Sequence, residues 1–333
     1  MTVPQRLEPP PGDTPASAAD PQAVAPRRWT LHGLNNGLIF SATYHGVRTL
    51  PRAVSYAIGH VGTWIAWRTM TRTREAIADN LAPVFPGESR DRLERRALLT
   101  LRSYARDVID FLRALGHAAT SPERVFEIVE EHPRLFGRLL ERGKGVILVT
   151  GHFGNWEIGS MLVGNLLRLP LTIVAMTEAD PTVNRIRLEI RELMRAETIE
   201  VRQSFDTPLQ IRRCLADNRI VAMLVDRHYG KDRIAVTLFG RPAWFLRTPF
   251  LMAQVTGAPL LPCSVERVGA DRFRAFPGEP VFVATDIPRD EALTRAAQDV
   301  AAAIEARVRA HPEYWYHFYR YWDAQRDEYD GLA

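Results

Sequence analysis

The second half of the chain alternates short apolar runs with amphipathic segments, and this alternation constrains the fold more than any other feature. From Gly145 onward the apolar runs predict strands at Val146–Thr150, Leu171–Met176, Thr198–Val201, Ile220–Val225, Ala235–Phe239, Leu260–Val265, Arg272–Phe276 and Val281–Val283. Predicted helices lie at about Glu157–Leu167, Thr182–Arg195, Pro208–Asp217, Thr248–Thr256 and Arg289–Ala310. Such alternation predicts an α/β fold, with a central mostly parallel or mixed sheet flanked by helices.

The first part of the chain has a different pattern, so we expect three regions. Residues 1–28 are rich in Pro and Ala and carry no secretory signal, which predicts a disordered tail. Residues 29–140 are predicted to form a helical N-terminal region, because apolar residues recur at three- and four-residue spacing along Arg90–Leu115. Residues 141–325 then form the α/β domain.

One apolar stretch of the helical region, residues 53–67, has the character of a membrane-interface helix. It contains Gly59 and His60, and Arg52 and Arg68 flank it. It is shorter than the roughly 20 apolar residues that a spanning helix needs. Tryptophan and arginine at its edges favour a helix that lies in the membrane interface. An ordinary core helix is the alternative.

Composition narrows the class of protein. The 333 residues with 46% hydrophobic content can bury a sizeable core, and the formal charge of +4 favours an anionic partner. The arginine bias, with Lys144 and Lys231 the only lysines, suits phosphate and carboxylate groups or reflects genome composition. Cys214 and Cys263 form no disulfide or zinc pattern, so we expect a reducing, cytoplasmic setting and no metal. No nucleic-acid partner is predicted.

The run from Gly151 to Glu157 (GHFGNWE) carries the strongest chemical signal. It follows a predicted buried strand and opens a predicted helix, which places His152 and Glu157 at a strand-to-helix turn. An imidazole titrates near neutral pH, and a carboxylate can orient it as a general base. Asp226 and Arg227 follow another predicted strand, so they are expected to line the same crevice as His152.

Other common signatures are absent from the sequence. There is no GxGxxG, GxxxxGK[ST], HExxH or GxSxG pattern. Their absence argues against a dinucleotide enzyme, a P-loop ATPase, a zincin and a serine hydrolase of the elbow type.

The GHFGNWE run after VILVT resembles the HxxxxE/D motif of the glycerolipid acyltransferases, in the form found in bacterial lipid A biosynthesis (lauroyl/myristoyl-type) acyltransferases. That family includes phosphatidylinositol mannoside acyltransferases. Further blocks resemble the family in the right order over residues 45–325, namely Asn80-Leu81 with Val84-Phe85-Pro86, Val225-Asp226-Arg227, Val236–Phe239 with Gly240 and Pro242-Ala243, Thr256-Gly257-Ala258-Pro259 with Pro262, and Pro312-Glu313-Tyr314-Trp315 with Arg320-Tyr321-Trp322.

The resemblance implies an O-acyltransferase that moves a fatty acyl group from acyl-carrier protein or coenzyme A to a hydroxyl of a lipid or glycolipid. His152 would be the general base and Glu157 would orient it, as the acid does in a catalytic triad. Backbone N–H groups near Gly154 and Asn155 would bind the oxyanion, and Asp226 and Arg227 would position substrate. No cofactor beyond the acyl thioester is implied. The expected setting is the cytoplasmic face of the bacterial inner membrane, with a peripheral or single anchor.

Several alternatives stay open. The stretch Met176–Pro181 lacks the arginine of the family's second-strand block and has Asp180 in place of an asparagine, which leaves the acceptor open. Donor type and acyl length are open as well, and an acyl thioesterase or a non-catalytic lipid-binding protein are the competing functions. Arg185, Arg187 and Arg191 could meet acyl-carrier protein or lipid phosphate, or form a solvated face. The aromatic stretch 311–322 predicts either an apolar contact surface or a segment docked on the core.

Overall fold

The structure, a computed structural model, describes residues 37–116, 121–178, 180–201, 206–269 and 272–326. The predicted tail, residues 1–28, lies outside these described residues. Helices come first along the chain, at α1 Gly37–Thr49, α2 Arg52–Thr69, α3 Thr71–Leu81, α4 Arg90–Ala114 and α5 Glu131–Leu140. The face of α4 with apolar residues at three- and four-residue spacing packs on α2 and α3, as expected of an amphipathic helix.

Strands and helices then alternate. The elements are β1 Val146–Thr150, α6 Trp156–Met161 with a π-helical turn Leu162–Leu166, β2 Leu171–Ala175, α7 Pro181–Leu193, β3 Ala196–Glu200, α8 Asp206–Ala216, β4 Ile220–Leu224, β5 Ile234–Leu238, β6 Arg241–Phe245, α9 Thr248–Thr256, β7 Leu260–Gly269, β8 Arg272–Pro277, α10 Arg289–Ala310 and α11 Tyr321–Arg326. The long helix α10 buries an alanine-rich face, including Ala296, Ala297 and Ala301, in the core.

The sheet has six strands in the order β3-β2-β4-β1-β7-β8. The first five strands run parallel, and β8 pairs antiparallel with β7 at the edge. The predicted α/β fold with a mixed central sheet and an N-terminal helical segment is therefore confirmed. Because β1 and β4 are neighbours in register, with Thr150 opposite Leu224, the residues that follow each strand meet at the same edge.

Two strand predictions differ from the structure. Val281–Val283 forms no strand, since only Val281 makes an isolated bridge, with Leu260. The strand β6 was not predicted, because its first residues, Arg241 and Pro242, have the composition of a loop. It pairs with β5 through a two-residue turn, Phe239-Gly240, in which both residues have positive φ (51° and 72°). Positive φ at both central residues is the geometry of a type I′ hairpin.

A buried ionic cluster ties the helical region to the sheet. Arg267 of β7 forms ion pairs with both Asp107 and Asp110 of α4. Tyr56 of α2 donates a hydrogen bond to Asp110, and Tyr316 donates one to Asp107 at 2.6 Å. These contacts fix α2 and α4 over the edge of the sheet where β1 and β4 end.

Candidate active site

The turn between β1 and α6 brings His152 to the sheet edge, and two glycines make its tight packing feasible. A Cβ on Gly151 would lie 2.9 Å from the carboxylate Oδ2 of Asp226. Gly154 has φ of +62°, and a Cβ there would lie 2.3 Å from the carbonyl oxygen of Val265. Only glycine fits such close backbone approaches. The turn therefore holds the His152 backbone directly against Asp226.

His152, Asp226 and His317 form a hydrogen-bonded triad. The His152 Nδ1 lies 2.6 Å from Asp226 Oδ1, and the backbone N–H of His152 donates to Asp226 Oδ2 at 2.7 Å. On the other side, His317 Nε2 lies 3.0 Å from the same Oδ2. The Asp226 side chain is fully buried, whereas that of His152 is 16% exposed. Asp226 thus joins two imidazoles from within the core, and His152 alone reaches out from it.

The charges of the triad follow from burial and from these hydrogen bonds. Burial lowers the pKa of His152 to about 3, with the nearby Arg227 cation adding to the effect, and burial lowers the pKa of His317 to about 4. Although burial alone would raise the pKa of Asp226, the two histidines hold it well below its usual value. Both imidazoles are therefore neutral and Asp226 is ionised at neutral pH. Since a carboxylate only accepts, His152 carries its proton on Nδ1 and leaves Nε2 as a base.

The C-terminal aromatic segment supplies His317 and docks on the turn that carries His152. The backbone N–H of Tyr316 donates to the carbonyl oxygen of His152 at 2.7 Å, and Phe153 bridges Trp315. Asn80 of α3 clamps the segment, since its side-chain amide donates to the carbonyl oxygens of His317 and Tyr319 and accepts from the backbone of Tyr321. Of the two expectations for residues 311–322, the docked segment is confirmed. The sequence did not single out His317 or Asn80 as functional, because neither lies near the motif along the chain.

Glu157 does not have the position expected of it. Its carboxylate accepts a hydrogen bond from Arg187 at 2.7 Å, and Arg187 also pairs with Glu178 at 3.1 Å. The residue on Nδ1 of His152 is Asp226 instead. The reason is geometric, because Glu157 lies in the first turn of α6 and points toward α7, whereas β4 places Asp226 beside the turn. The expectation that Glu157 orients the imidazole is wrong in this structure.

Gly154 and Asn155 are also placed differently from expectation. The backbone N–H of Gly154 donates to the carbonyl oxygen of Tyr314 at 2.9 Å, and that of Asn155 donates to Val265 at 2.8 Å. The Asn155 side chain caps α6 by accepting from Ile158. Because these donors are occupied by the protein itself, they cannot bind an oxyanion, and both residues build the turn.

Of the other two predicted substrate-binding residues, only Arg227 faces the cleft. Its guanidinium lies over the ring of Tyr319 and donates to the carbonyl oxygen of Tyr316 at 3.1 Å. Asp226 is buried and acts on His152, so it cannot touch a substrate. The triad is also the group of described side chains whose ligand atoms lie close enough to share a metal ion. Each carboxylate oxygen already accepts an imidazole N–H, so the arrangement fits a histidine base that is oriented by a buried carboxylate.

A cleft of about 2280 Å³ opens above His152. Drug-sized ligand pockets measure roughly 300–1,000 Å³, so this cleft has room for two large substrates. One part is apolar and is lined by the sheet face and by helices α1, α2 and α4, with side chains that include Leu148, Ile173, Leu224, Val108 and Ile109. Another part is polar and includes Tyr104, Glu157, Glu178, Arg187 and Arg191. His152 and Trp156 also line the cleft.

Comparisons with known proteins identify the family of the chain. The model of bacterial lipid A biosynthesis acyltransferases matches residues 21–324. A phosphatidylinositol mannoside acyltransferase from Mycolicibacterium smegmatis is 27% identical over 304 residues, which cover 89% of this chain and 94% of that protein. A protein of the same name from Mycobacterium tuberculosis is 26% identical over 192 residues, 57% of this chain and 58% of that protein. Since the family match spans most of the chain, the protein belongs to the bacterial lipid A biosynthesis acyltransferase family and is an acyltransferase that acts on lipids or glycolipids.

Proposed function

We propose that the protein transfers a fatty acyl group from an acyl thioester, carried by acyl-carrier protein or coenzyme A, to a hydroxyl group of a glycolipid. The observation that carries this proposal is the pairing of His152 Nδ1 with the buried, ionised Asp226. This pairing fixes the tautomer in which Nε2 is an unprotonated base at the cleft. The names of the relatives, phosphatidylinositol mannoside acyltransferases, support a glycolipid acceptor.

In the proposed reaction, His152 Nε2 takes the proton of the acceptor hydroxyl as its oxygen attacks the thioester carbonyl carbon. The tetrahedral oxyanion collapses, the C–S bond breaks, and the leaving thiolate takes the proton back from the imidazolium. Asp226 stays ionised and stabilises that imidazolium. We assign oxyanion stabilisation to the Arg227 guanidinium, because it faces the cleft and its charge acts on His152. The step needs no resident cofactor.

Donor consumption with and without acceptor tests the proposed activity. We expect the purified protein to release free thiol from palmitoyl-coenzyme A or palmitoyl-acyl-carrier protein at least tenfold faster when phosphatidylinositol mannoside is added. Mass spectrometry should show one additional palmitoyl ester on the acceptor. The physical reason is that the cleft holds a lipid hydroxyl in position beside the base, whereas a water molecule in an apolar cleft is not held there. Equal thiol release with and without acceptor, yielding free fatty acid, would establish a thioesterase instead.

We further propose that α2 lies on the membrane surface, at the cytoplasmic face of the inner membrane where acyl thioesters are available. Its outward face exposes Val54, Val61 and Ile65, with Val61 59% exposed, and the exposed Ile58 lies where this apolar stripe meets the cleft. Its other face is built of small residues, including Gly59 and Gly62, that line the cleft. The apolar face of α2 thus points outward and its small residues face the cleft. This arrangement supports a helix that lies in the membrane interface, beside which a lipid enters the cleft from the membrane. Among the residues described, no helix combines the length and apolarity needed to cross a membrane.

Charged substitutions on the stripe should weaken membrane binding. We expect the double variant Val61→Glu/Ile65→Glu to lower the partition onto phosphatidylglycerol-containing vesicles at least tenfold, because two carboxylates would have to enter the interface. Neither residue lines the cleft, so the rate of acyl transfer to a detergent-solubilised acceptor should change less than threefold. Leu209→Glu, at an exposed position of α8, is the matched control and should bind vesicles normally. Equal cosedimentation of all three proteins would contradict the assignment of α2 to the membrane.

A further inference from the structure

Helix α7 carries three arginines, and the structure gives each a different environment. Arg185 is 71% exposed and lies near Glu189 on the same helix. Arg187 is enclosed between the carboxylates of Glu157 and Glu178. Arg191, one turn further on, lies in the polar part of the cleft and is only 8% exposed. The expectation of a single solvated face therefore holds for Arg185 alone.

Arg191 is a buried cation without a committed partner. Within the described part of the chain its guanidinium makes neither a hydrogen bond nor an ion pair, and its Nε is buried without a partner. The two nearest acids of the cleft, Glu157 and Glu178, are both bound to Arg187. Burial lowers the pKa of Arg191, and the attraction of Glu157, Glu178 and Glu200 from a distance does not offset it.

A buried guanidinium without a partner is costly, and proteins seldom keep one unless a ligand completes it. Arg187 of the same helix, by contrast, has the carboxylates of Glu157 and Glu178 as its partners. Guanidinium presents a planar fork of N–H donors, and phosphate and carboxylate oxygens are the groups that match this fork. A lipid or thioester substrate of the proposed reaction carries phosphate more commonly than carboxylate. Arg191 thus has the burial, charge and position of a phosphate-recognising residue.

We propose that Arg191 binds a phosphate group of a substrate and thereby selects a phosphate-bearing substrate for this cleft. This proposal rests on the proposed function and names the chemistry that the same cleft recognises. The phosphate can come from the acceptor, as the diester of a phosphoglycolipid, or from the donor, as the phosphate of the pantetheine arm. Both sources present the same anionic oxygens to Arg191, and they are separated by experiment.

The test measures KM for matched substrates with and without phosphate. The acceptor pair is phosphatidylinositol mannoside and an alkyl mannoside, and the donor pair is palmitoyl-coenzyme A and palmitoyl-pantetheine. We expect Arg191→Gln to raise KM for one phosphate-bearing substrate by about 10- to 100-fold, the effect of losing a charge-assisted bidentate contact. Its phosphate-free counterpart should change by no more than about twofold, and the affected pair identifies the source.

Control variants distinguish a loss of phosphate recognition from a general structural effect of the substitution. Arg185→Gln, on the exposed face of the same helix, should leave all four KM values unchanged. Arg191→Lys should recover part of the selectivity, because it restores the charge without the fork. If Arg191→Gln changed KM equally for phosphate-bearing and phosphate-free substrates, or changed none, the proposal would be wrong while acyl transfer by the wild type still stood.

Equilibrium binding decides the matter even if no transfer is detected. Phosphatidylinositol mannoside and coenzyme A are titrated onto His152→Ala and onto His152→Ala/Arg191→Gln. We expect the second protein to bind one of the two ligands at least tenfold more weakly, with a thermal unfolding midpoint no lower than that of the first, because the substitution removes an unpartnered buried charge. If the two proteins bound each ligand with the same affinity, the role of Arg191 would be overturned, whether or not the reaction is detected.

Discussion

His152→Ala is expected to lower kcat/KM for acyl transfer by about 10³-fold or more. General-base catalysis contributes about 10²–10⁴-fold, and the alanine also removes the group that returns the proton to the leaving thiol. The variant should stay folded, because the His152 side chain reaches into the cleft and its backbone contact with Asp226 is independent of the ring. Steady-state kinetics, together with a circular dichroism spectrum and a thermal melt, measures both expectations.

His152→Asn is a second variant that removes the base with less disturbance to Asp226. Its side-chain amide can replace the Nδ1 donor to Asp226, so the buried carboxylate keeps a partner while the base at Nε2 is lost. We expect it to be as inactive as the alanine variant but closer to the wild type in stability. More than a tenth of wild-type activity in either variant would show that His152 is not the base.

The wild-type pH profile carries further information on the same base. Because burial lowers the pKa of His152 to about 3, Nε2 is unprotonated throughout the neutral range. The value of kcat/KM should therefore stay flat from pH 8 to about pH 5, where an ordinary histidine would already be largely protonated. In the unfolded chain His152 and His317 bind protons below about pH 6.5, so their contribution to stability is present above that pH and is lost as the pH falls toward 4 and 3.

Asp226→Asn is expected to cost about 10³–10⁴-fold in kcat, with KM little changed. An amide at this position can donate to Nδ1, which favours the wrong tautomer and places the proton on Nε2, where the base is needed. The imidazolium that forms during the reaction also loses its counter-charge. Because His152 and Asp226 act as one unit, the double variant with His152→Ala should be no slower than His152→Ala alone.

Glu157→Gln is the matched comparison for that variant. Glu157 holds Arg187 in the polar part of the cleft and does not touch His152, so its loss should appear in the KM for acceptor and should leave the pH profile unchanged. Its effect should multiply with that of Asp226→Asn, as expected for groups that act independently. A larger loss of kcat in Glu157→Gln than in Asp226→Asn would show that Glu157, and not Asp226, is the acid that orients His152.

Much of the fold could be predicted from local pattern. Alternating apolar runs predict β1 to β4 within one or two residues, and the amphipathic period predicts α4 and α10. The hairpin strand β6 could not be predicted this way, because it depends on a turn of Phe239 and Gly240 with positive φ and on pairing with β5, which packs against α10. Likewise, the exposed stripe of α2 follows from its apolar spacing, but only the packed structure shows which face points outward.

The sequence by itself indicated the family and the position of the proposed base, since His152 lies in a short motif between a strand and a helix, and local patterns report local structure. Only the tertiary structure decided which acid serves that base. The carboxylate closest along the chain, Glu157, turns toward Arg187, whereas Asp226 and His317 come from 74 and 165 residues further along. The pairing of β1 with β4 and the docking of the C-terminal segment bring them together. Hydrogen bonds of this kind depend on three-dimensional register, which sequence spacing does not contain.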